Sequence, residues 1–350
     1  MFSALAYLPS FLIACTGGVI ANLLNLPIPW LLGSLFAVGC MSLSGLPIKT
    51  AGFSRKAGLM VIGISLGLYF TPQMVAVLNQ YAYLMAAVAL FNILLGIIGS
   101  AIVYRFGGVN FKTAWFASVI GGASEMSNFA QIHGARVDQV VAAHSLRVLM
   151  VVTIVPFFYK FMGYHGKLDA LLSPSQTVHT FGLVALIGLC VVMALVFERL
   201  KLSNPWTFAP LLTAACLTAN DIHLSAMPNY LSYLGQICIG WTLGAKFRPD
   251  FFQTAPKLLT ATAVSVIIHL ILTAIISLSL AWLTGMDVSI LGLGFAPGGV
   301  AEMTITAKTL QLGVPIVTML HVVRMVAVIS TAGILYHWVN QKFIHRHDVG

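Results

Sequence analysis

The sequence predicts an all-α polytopic membrane protein built from two inverted-topology repeats, and three observations carry that expectation. Hydrophobic residues make up 59% of the 350 residues and the mean hydropathy is +0.95, well above the roughly 45 to 50% apolar content of soluble domains. Apolar runs recur along the whole length, many of them near the ~20 residues that a helix needs to cross a hydrocarbon core of about 30 Å. The chain also repeats itself at a nearly constant offset.

Rare residues carry the duplication. An ungapped offset of 177 places Gly121 on Gly298, Glu125 on Glu302, Met126 on Met303, His144 on His321 and Arg147 on Arg324. It also places Gly58, Gly63, Gly67, Phe70 and Pro72 on Gly235, Gly240, Gly244, Phe247 and Pro249. Nearer the start of each half the offset is 176, which pairs Pro29-Trp30 with Pro205-Trp206 and Cys40 with Cys216. One inserted residue explains the change. Coincidence of Trp, His, Glu and Arg at one offset is specific, whereas shared Leu and Ala is not, and a duplication of this kind sets the architecture. The first repeat occupies residues 1–162 and the second 178–350, joined by an interfacial linker at 163–177.

Six apolar segments are expected in each half. They lie near 5–25, 30–47, 57–70, 81–104, 112–133 and 138–162, then 178–198, 206–219, 230–246, 258–284, 288–310 and 314–339. The first lacks Lys or Arg ahead of its apolar run, and its counterpart in the second half must stay in the chain, so a cleaved leader is not expected. Pro29-Trp30 and Pro205-Trp206 read as helix starts with an interfacial aromatic. The fifth and eleventh segments contain Gly121-Gly122 and Pro297-Gly298-Gly299, which mark helix breaks.

Loop charges set the relative orientation of the halves. Lys49, Arg55 and Lys56 follow the second segment, and Arg105 and Lys112 follow the fourth. In the second half the basic loops instead follow the first segment (Arg199, Lys201) and the third (Lys246, Arg248, Lys257). By the positive-inside rule equivalent loops then sit on opposite faces. An inverted repeat without a linker helix needs an odd number of crossings per half, so the glutamate segment is expected to break midway or to re-enter. About ten full crossings and two cytoplasmic termini follow, with Lys160 and Lys167 on the disfavoured side.

Charged residues are only 8% of the chain, and an ionisable group in hydrocarbon costs several kcal/mol unless it faces the interior with a partner. Glu125 and Glu302 are such groups, with Asn128 and the serines and threonines near them as short polar neighbours. His144 and Arg147 share a helix face, as do His321 and Arg324. Asn92 and His269 are equivalent positions on the fourth segments, whereas Lys308 faces Gln131 in the repeat and has no basic counterpart. Two readings stay open. In one, each Glu and Arg form a buried ion pair that holds the helices together. In the other, the glutamates bind a cation or exchange a proton, the arginines neutralise them or meet an anion, and the histidines relay protons, at broken helices like those of secondary transporters.

Composition excludes other classes. The net charge of +9 comes from Lys and Arg scattered at segment ends, so it reads as topology and no direct nucleic-acid contact is expected. Five cysteines (15, 40, 190, 216, 238) in apolar segments do not form a disulfide framework. No Glu-x-x-His or His-x-x-x-His spacing places paired ligands on one helix. No metal site, cofactor or catalytic residue is therefore assigned. The expected partners are the lipid bilayer, a small solute or ion, and a second copy of the chain.

The doubled "GG-x-x-EM", followed 19 residues after each Glu by His-x-x-Arg and preceded by "PW" near the start of each half, resembles the bacterial AbrB-duplication membrane family over essentially the whole chain. The resemblance implies an inner-membrane hydrophobic module present twice. It brings two labels, regulator of gene expression and ammonia monooxygenase. The layout is also similar to the cation/proton antiporter and bile-acid-symporter group. No recognition helix lies outside the membrane, so a regulatory role would be indirect. An arginine within the symmetric Glu, His and Arg set disfavours a copper centre. The leading expectation is a proton- or ion-coupled transporter, the alternative a membrane-embedded regulator.

Overall fold

The computed structural model describes residues 7–166, 177–247 and 249–347, so most of the expected linker lies outside the described residues. Among those residues the chain is helical, with no strand. The first half contributes α1 (Leu8–Leu23), α2 (Pro29–Leu43), α3 (Gly52–Gly67), α4 (Pro72–Gln80), α5 (Ala82–Phe106), α6 (Phe111–Ser118), α7 (Ala123–Ile132) and α8 (Val137–Phe161). The second contributes α9 (Thr180–Arg199), α10 (Pro205–Ala219), α11 (Asn229–Gly244), α12 (Phe251–Thr254), α13 (Pro256–Thr284), α14 (Val288–Phe295), α15 (Val300–Thr309) and α16 (Val314–His347).

The duplication extends to element boundaries. The limits of α2 and α10 coincide at the 176 offset, and those of α3 and α11, α6 and α14, and α7 and α15 coincide at 177. Backbone strain repeats as well. Left-handed φ angles occur at Asn25 and Lys201, Ile28 and Asn204, Gly45 and Asp221, Gly108 and Gly285, and Gly134 and Gln311. For non-glycine residues this conformation is uncommon, so these shared values place the same turns at the same points of both halves.

Local chemistry explains the starts. Proline opens α2, α4, α10 and α13, where its missing N–H is no loss. The Asn110 carboxamide oxygen accepts from Thr113 N at 2.9 Å to cap α6, and Asp287 accepts from Ser289 N at 2.8 Å to cap α14. Two features differ from the sequence expectation. α3 begins at Gly52, ahead of the apolar run, because a helix can extend its polar first turn into water. The short α4 and α12 lie where a loop was expected. Thr71 Oγ accepts from Met74 N at 3.3 Å and, with Pro72, turns the loop into a capped helix.

Among the described residues five helices are long and apolar enough to cross a membrane: α5, α8, α9, α13 and α16 over Val314–Val339. α1, α2, α3, α10 and α11 have 15 or 16 residues, a rise of about 24 Å or less. Large apolar side chains stand exposed on several helices, Phe181 and Val184 on α9 and Ile271, Ile275 and Trp282 on α13 among them. Surface of this kind is suited to lipid, since soluble monomers rarely show large apolar patches.

The chain divides into two compact units that do not follow the halves. The first takes residues up to Tyr81, Thr153–Phe251 and Ala301–Thr318; the second takes Ala82–Val152, Phe252–Val300 and the chain from Met319. In the first unit the halves interlock through glycines. Gly63 and Gly67 on α3 lie against the Thr207 and Leu211 carbonyls of α10, while the equivalent Gly240 and Gly244 on α11 lie against the Leu31 and Leu35 carbonyls of α2. Gly58 and Gly235 each face the other's carbonyl. Exchanging the halves maps this contact set onto itself, as in an isologous interface. A methyl group at Gly58, Gly63, Gly67, Gly240 or Gly244 would collide with backbone, and at Gly235 it would be a tight contact.

The second unit is packed around Trp115 and Phe116 of α6, Met126 of α7, Val140 of α8 and Val328, Ala332 and Tyr336 of α16. The Trp115 indole N–H donates to the Ala332 carbonyl at 3.2 Å, which fixes α6 on α16. In the same unit α13 packs on α5 and α14.

Candidate functional site

The glutamate segment of each half is a discontinuous helix. α6 ends at Ser118 and α7 restarts at Ala123; α14 ends at Phe295 and α15 restarts at Val300. In the second half Pro297 cannot donate to the carbonyl four residues back, that of Leu293. In the first half Val119 is already extended, with ψ 131°. A broken helix leaves carbonyls without intrahelical donors, and at membrane depth irregular backbone is tolerated only when it is satisfied within the protein.

The His-x-x-Arg pairs supply those donors. His144 Nε2 bonds the Phe116 carbonyl at 2.8 Å, and His321 Nε2 bonds the Leu293 carbonyl at 2.9 Å. A carbonyl only accepts, so Nε2 carries the proton in both rings. One turn further along, Arg147 donates from Nη1 to Val119 O at 3.0 Å and from Nη2 to Gly121 O at 3.1 Å. Arg324 donates from the same atoms to Ala296 O at 2.7 Å and Gly298 O at 2.6 Å. Each partner of one staple is the repeat equivalent of the other's. The planar guanidinium spans two carbonyls at once, and its charge complements the negative end of a helix dipole. All four side chains are buried. The faces that the sequence aimed at the glutamates thus bond the backbone just ahead of them.

Both glutamates occupy the first turn of the restarting helix, where the exposed N–H groups favour negative charge. Glu125 is half-buried, and its carboxylate lies against Gly122, whose Cα hydrogen stands where any Cβ would clash with Oε2. That contact gives Gly122 a steric reason beyond the helix break, and Gly121 packs in the same way against Met126. Glu302 is 7% exposed. Its charge is in range of Lys246, which in turn feels Arg55. By sequence both cations belong to the basic loops. Asn128 is exposed on α7, whereas Thr304 and Thr306 are wholly buried on α15, their hydroxyls donating to the Ala301 and Glu302 carbonyls.

The remaining candidates fall in two places. Asn92 and His269 are buried on α5 and α13 of the second unit. Asn92 donates to Val88 O at 3.0 Å; the His269 ring lies against Gly99, 3.4 Å from Ser265 Oγ. Lys308 belongs to the first unit, where Nζ donates to Ser65 Oγ at 2.5 Å and the side chain lines a cavity of about 380 Å³. Its polar wall includes Asn22, Asn25, Asn229 and Gln236, which the sequence reading missed. Their amides interrupt apolar surroundings without charge, a weaker signal than a carboxylate. Among the described residues no three His, Cys, Asp or Glu side chains are grouped so as to hold a metal ion.

The fold and the paired breaks define a duplicated, membrane-type helical protein with two stapled discontinuous helices. The chain belongs to the AbrB family: the family model described as "Transition state regulatory protein AbrB" matches residues 30–340. It is 25% identical to the "Uncharacterized protein YhjN" of Bacillus subtilis (strain 168), an alignment covering 96% of this chain and 94% of that protein. It is 22% identical to the "Putative regulator AbrB" of Escherichia coli (strain K12), with 88% of each chain covered.

Proposed function

We propose that this protein is a proton- or ion-coupled secondary transporter of a small solute in the bacterial inner membrane, and that it is not an enzyme. The observation that carries the reading is the pair of broken helices, each with a glutamate in the first turn after the break and an identical His and Arg staple before it. Discontinuous helices with half-helix ends at membrane depth are how many secondary transporters bind substrate and coupling ion. In this reading the glutamates, in the first turn after each break, are the coupling groups. The guanidiniums and the imidazole Nε2–H groups are engaged as donors to backbone carbonyls.

The reading includes an inverted repeat with about ten crossings and both termini cytoplasmic. The reciprocal glycine contacts in the first unit support a two-fold relation between the halves, and the alternating basic loops support its axis lying in the membrane plane. Leu46 and Ile222 are repeat-equivalent and each about half exposed, at 48% and 49%. Single cysteines there, in a chain free of its own five, are expected to react with an impermeant maleimide from opposite faces. Labelling from one face alone contradicts the inversion.

Transport itself is tested by reconstituting the protein in proteoliposomes and imposing a pH gradient with a panel of small solutes inside or out. Solute uptake that collapses with the gradient is expected; a tight membrane with no solute-dependent proton movement across the panel overturns the reading. A second reading, a membrane-embedded regulator acting indirectly on gene expression, is favoured by the family description and by the name of the Escherichia coli relative. It predicts that transcription changes in a deletion strain are reversed by the Glu125→Gln, Glu302→Gln double variant as fully as by the wild type.

A further inference from the structure

The repeat offset relates two tryptophan surroundings in the first unit that have diverged. Around Trp206 they are closed by charge. Lys56 Nζ sits 5.3 Å from the indole centroid and 2.6 Å from Glu198 Oε1, and the indole N–H donates to Glu198 Oε2 at 3.0 Å. Around Trp30 the equivalent of Lys56 is Tyr233, which stacks on the indole with centroids 5.1 Å apart and planes at 21°. The equivalent of Glu198 is Asn22. Where the ion pair stands beside Trp206, a cavity of about 380 Å³ lies beside Trp30, within the usual size of small-molecule sites.

The donors around this cavity share one electrostatic character. Lys308 supplies a cation, and Asn22, Asn25, Asn229 and Gln236 supply amides. No Asp or Glu is among the described residues that line it. Lys308 Nζ donates to a neutral hydroxyl, that of Ser65, so the ammonium keeps its attraction for an anion. Ser232, 3% exposed and also in the wall, has a hydroxyl without a partner among the described residues, and buried polar groups are as a rule hydrogen-bonded. Trp30 and Ile62 provide an apolar face.

We propose that this cavity binds a small organic anion bearing one carboxylate. Lys308 is its counter-charge, the amides and the Ser232 hydroxyl bond the carboxylate and any further polar group, and Trp30 packs on the carbon skeleton. A single lysine matches a single negative charge; a phosphate dianion calls for more cations than the wall holds. The site goes beyond the transporter reading: it takes Lys308 from α15, the helix after the second break, but uses neither glutamate and neither His and Arg staple.

Equilibrium binding to the purified full chain, followed by tryptophan fluorescence, tests the proposal with acetate, lactate, benzoate and succinate. Lactamide serves as the uncharged control and inorganic phosphate as an anion without a carbon skeleton. At least one monocarboxylate is expected to bind saturably, with lactamide weaker by about tenfold or more, the scale of a charge-assisted bond. Lys308→Gln, which installs the residue found at the equivalent position 131, and Asn229→Asp, which adds a carboxylate from another helix, are each expected to weaken binding by about tenfold or more. Lys308→Arg retains it, and Lys56→Gln leaves it unchanged. No saturable carboxylate binding to the wild type, an unchanged Kd in Lys308→Gln, or phosphate bound more tightly than every carboxylate overturns the proposal. Carboxylate binding without flux in proteoliposomes would sink the transporter reading and leave this site standing; flux without Lys308-dependent binding would do the reverse.

Discussion

The two half-helices that follow the breaks carry the same motif in different surroundings. On α7, Ser124 and Asn128 are exposed and Glu125 is half-buried; on α15, residues 301–307 are all buried, Glu302 among them, and Lys308 reaches the cavity. Ahead of the breaks there is no such divergence, for the His and Arg staples bond equivalent carbonyls in both halves. The contrast separates two kinds of constraint. Orphaned carbonyls must be satisfied wherever a helix breaks in the membrane, so the staple keeps one solution. The helix beyond the break answers to its own neighbours and has specialised.

The largest expected effect of breaking this symmetry is on the staple. Arg324→Ala removes two short buried bonds from a charged donor, each worth about 1.5 to 3 kcal/mol. Together these amount to roughly 3 to 6 kcal/mol, and the variant is expected to melt far below the wild type in detergent. Arg147→Ala breaks bonds of 3.0 and 3.1 Å and is expected to cost less. Lysine rescues neither fully, because an ammonium lacks the planar fork. Equal melting points for the two alanine variants would remove the difference between the staples.

A middle effect is expected at Gly122. Alanine there meets the Glu125 carboxylate, the far end of a flexible half-buried side chain that can turn aside, so a cost of about 1 kcal/mol, the low end of overpacking, is expected. Combining it with Glu125→Ala should recover most of that loss, and a double-mutant cycle of melting curves measures the coupling. Strict additivity would place the strain elsewhere. The smallest effect is expected on the open side of α7, where Asn128→Ala should change stability by no more than about 0.5 kcal/mol, read from the same curves.

Much of this was legible in the sequence because it rests on rare residues at one offset. Glu125 with Glu302 and His144 with His321 fixed the register, and Pro297 with the paired glycines located the breaks. What His144 and Arg147 bond was not legible. Helical spacing tells which side chains share a face, and the facing partner here is backbone, which has no residue signature. The compact units were hidden for a related reason. Chain order groups residues by half, whereas packing joins α3 to α10 and α2 to α11 through glycines, whose role as contact points depends on what they face. The cavity escaped because Asn22, Asn25 and Asn229 become a site only when three separate helices or turns meet.

The central claim, that the two carboxylates after the breaks couple solute movement to an ion gradient, is tested most directly by flux in proteoliposomes under a pH gradient. Wild type is compared with Glu125→Gln, Glu302→Gln and the double variant, each first shown to be folded and equally incorporated. Loss of gradient-driven solute movement in both single variants is the expected result. Wild-type rates in either folded single variant would contradict the claim for that half, and wild-type rates in the double variant would contradict it altogether.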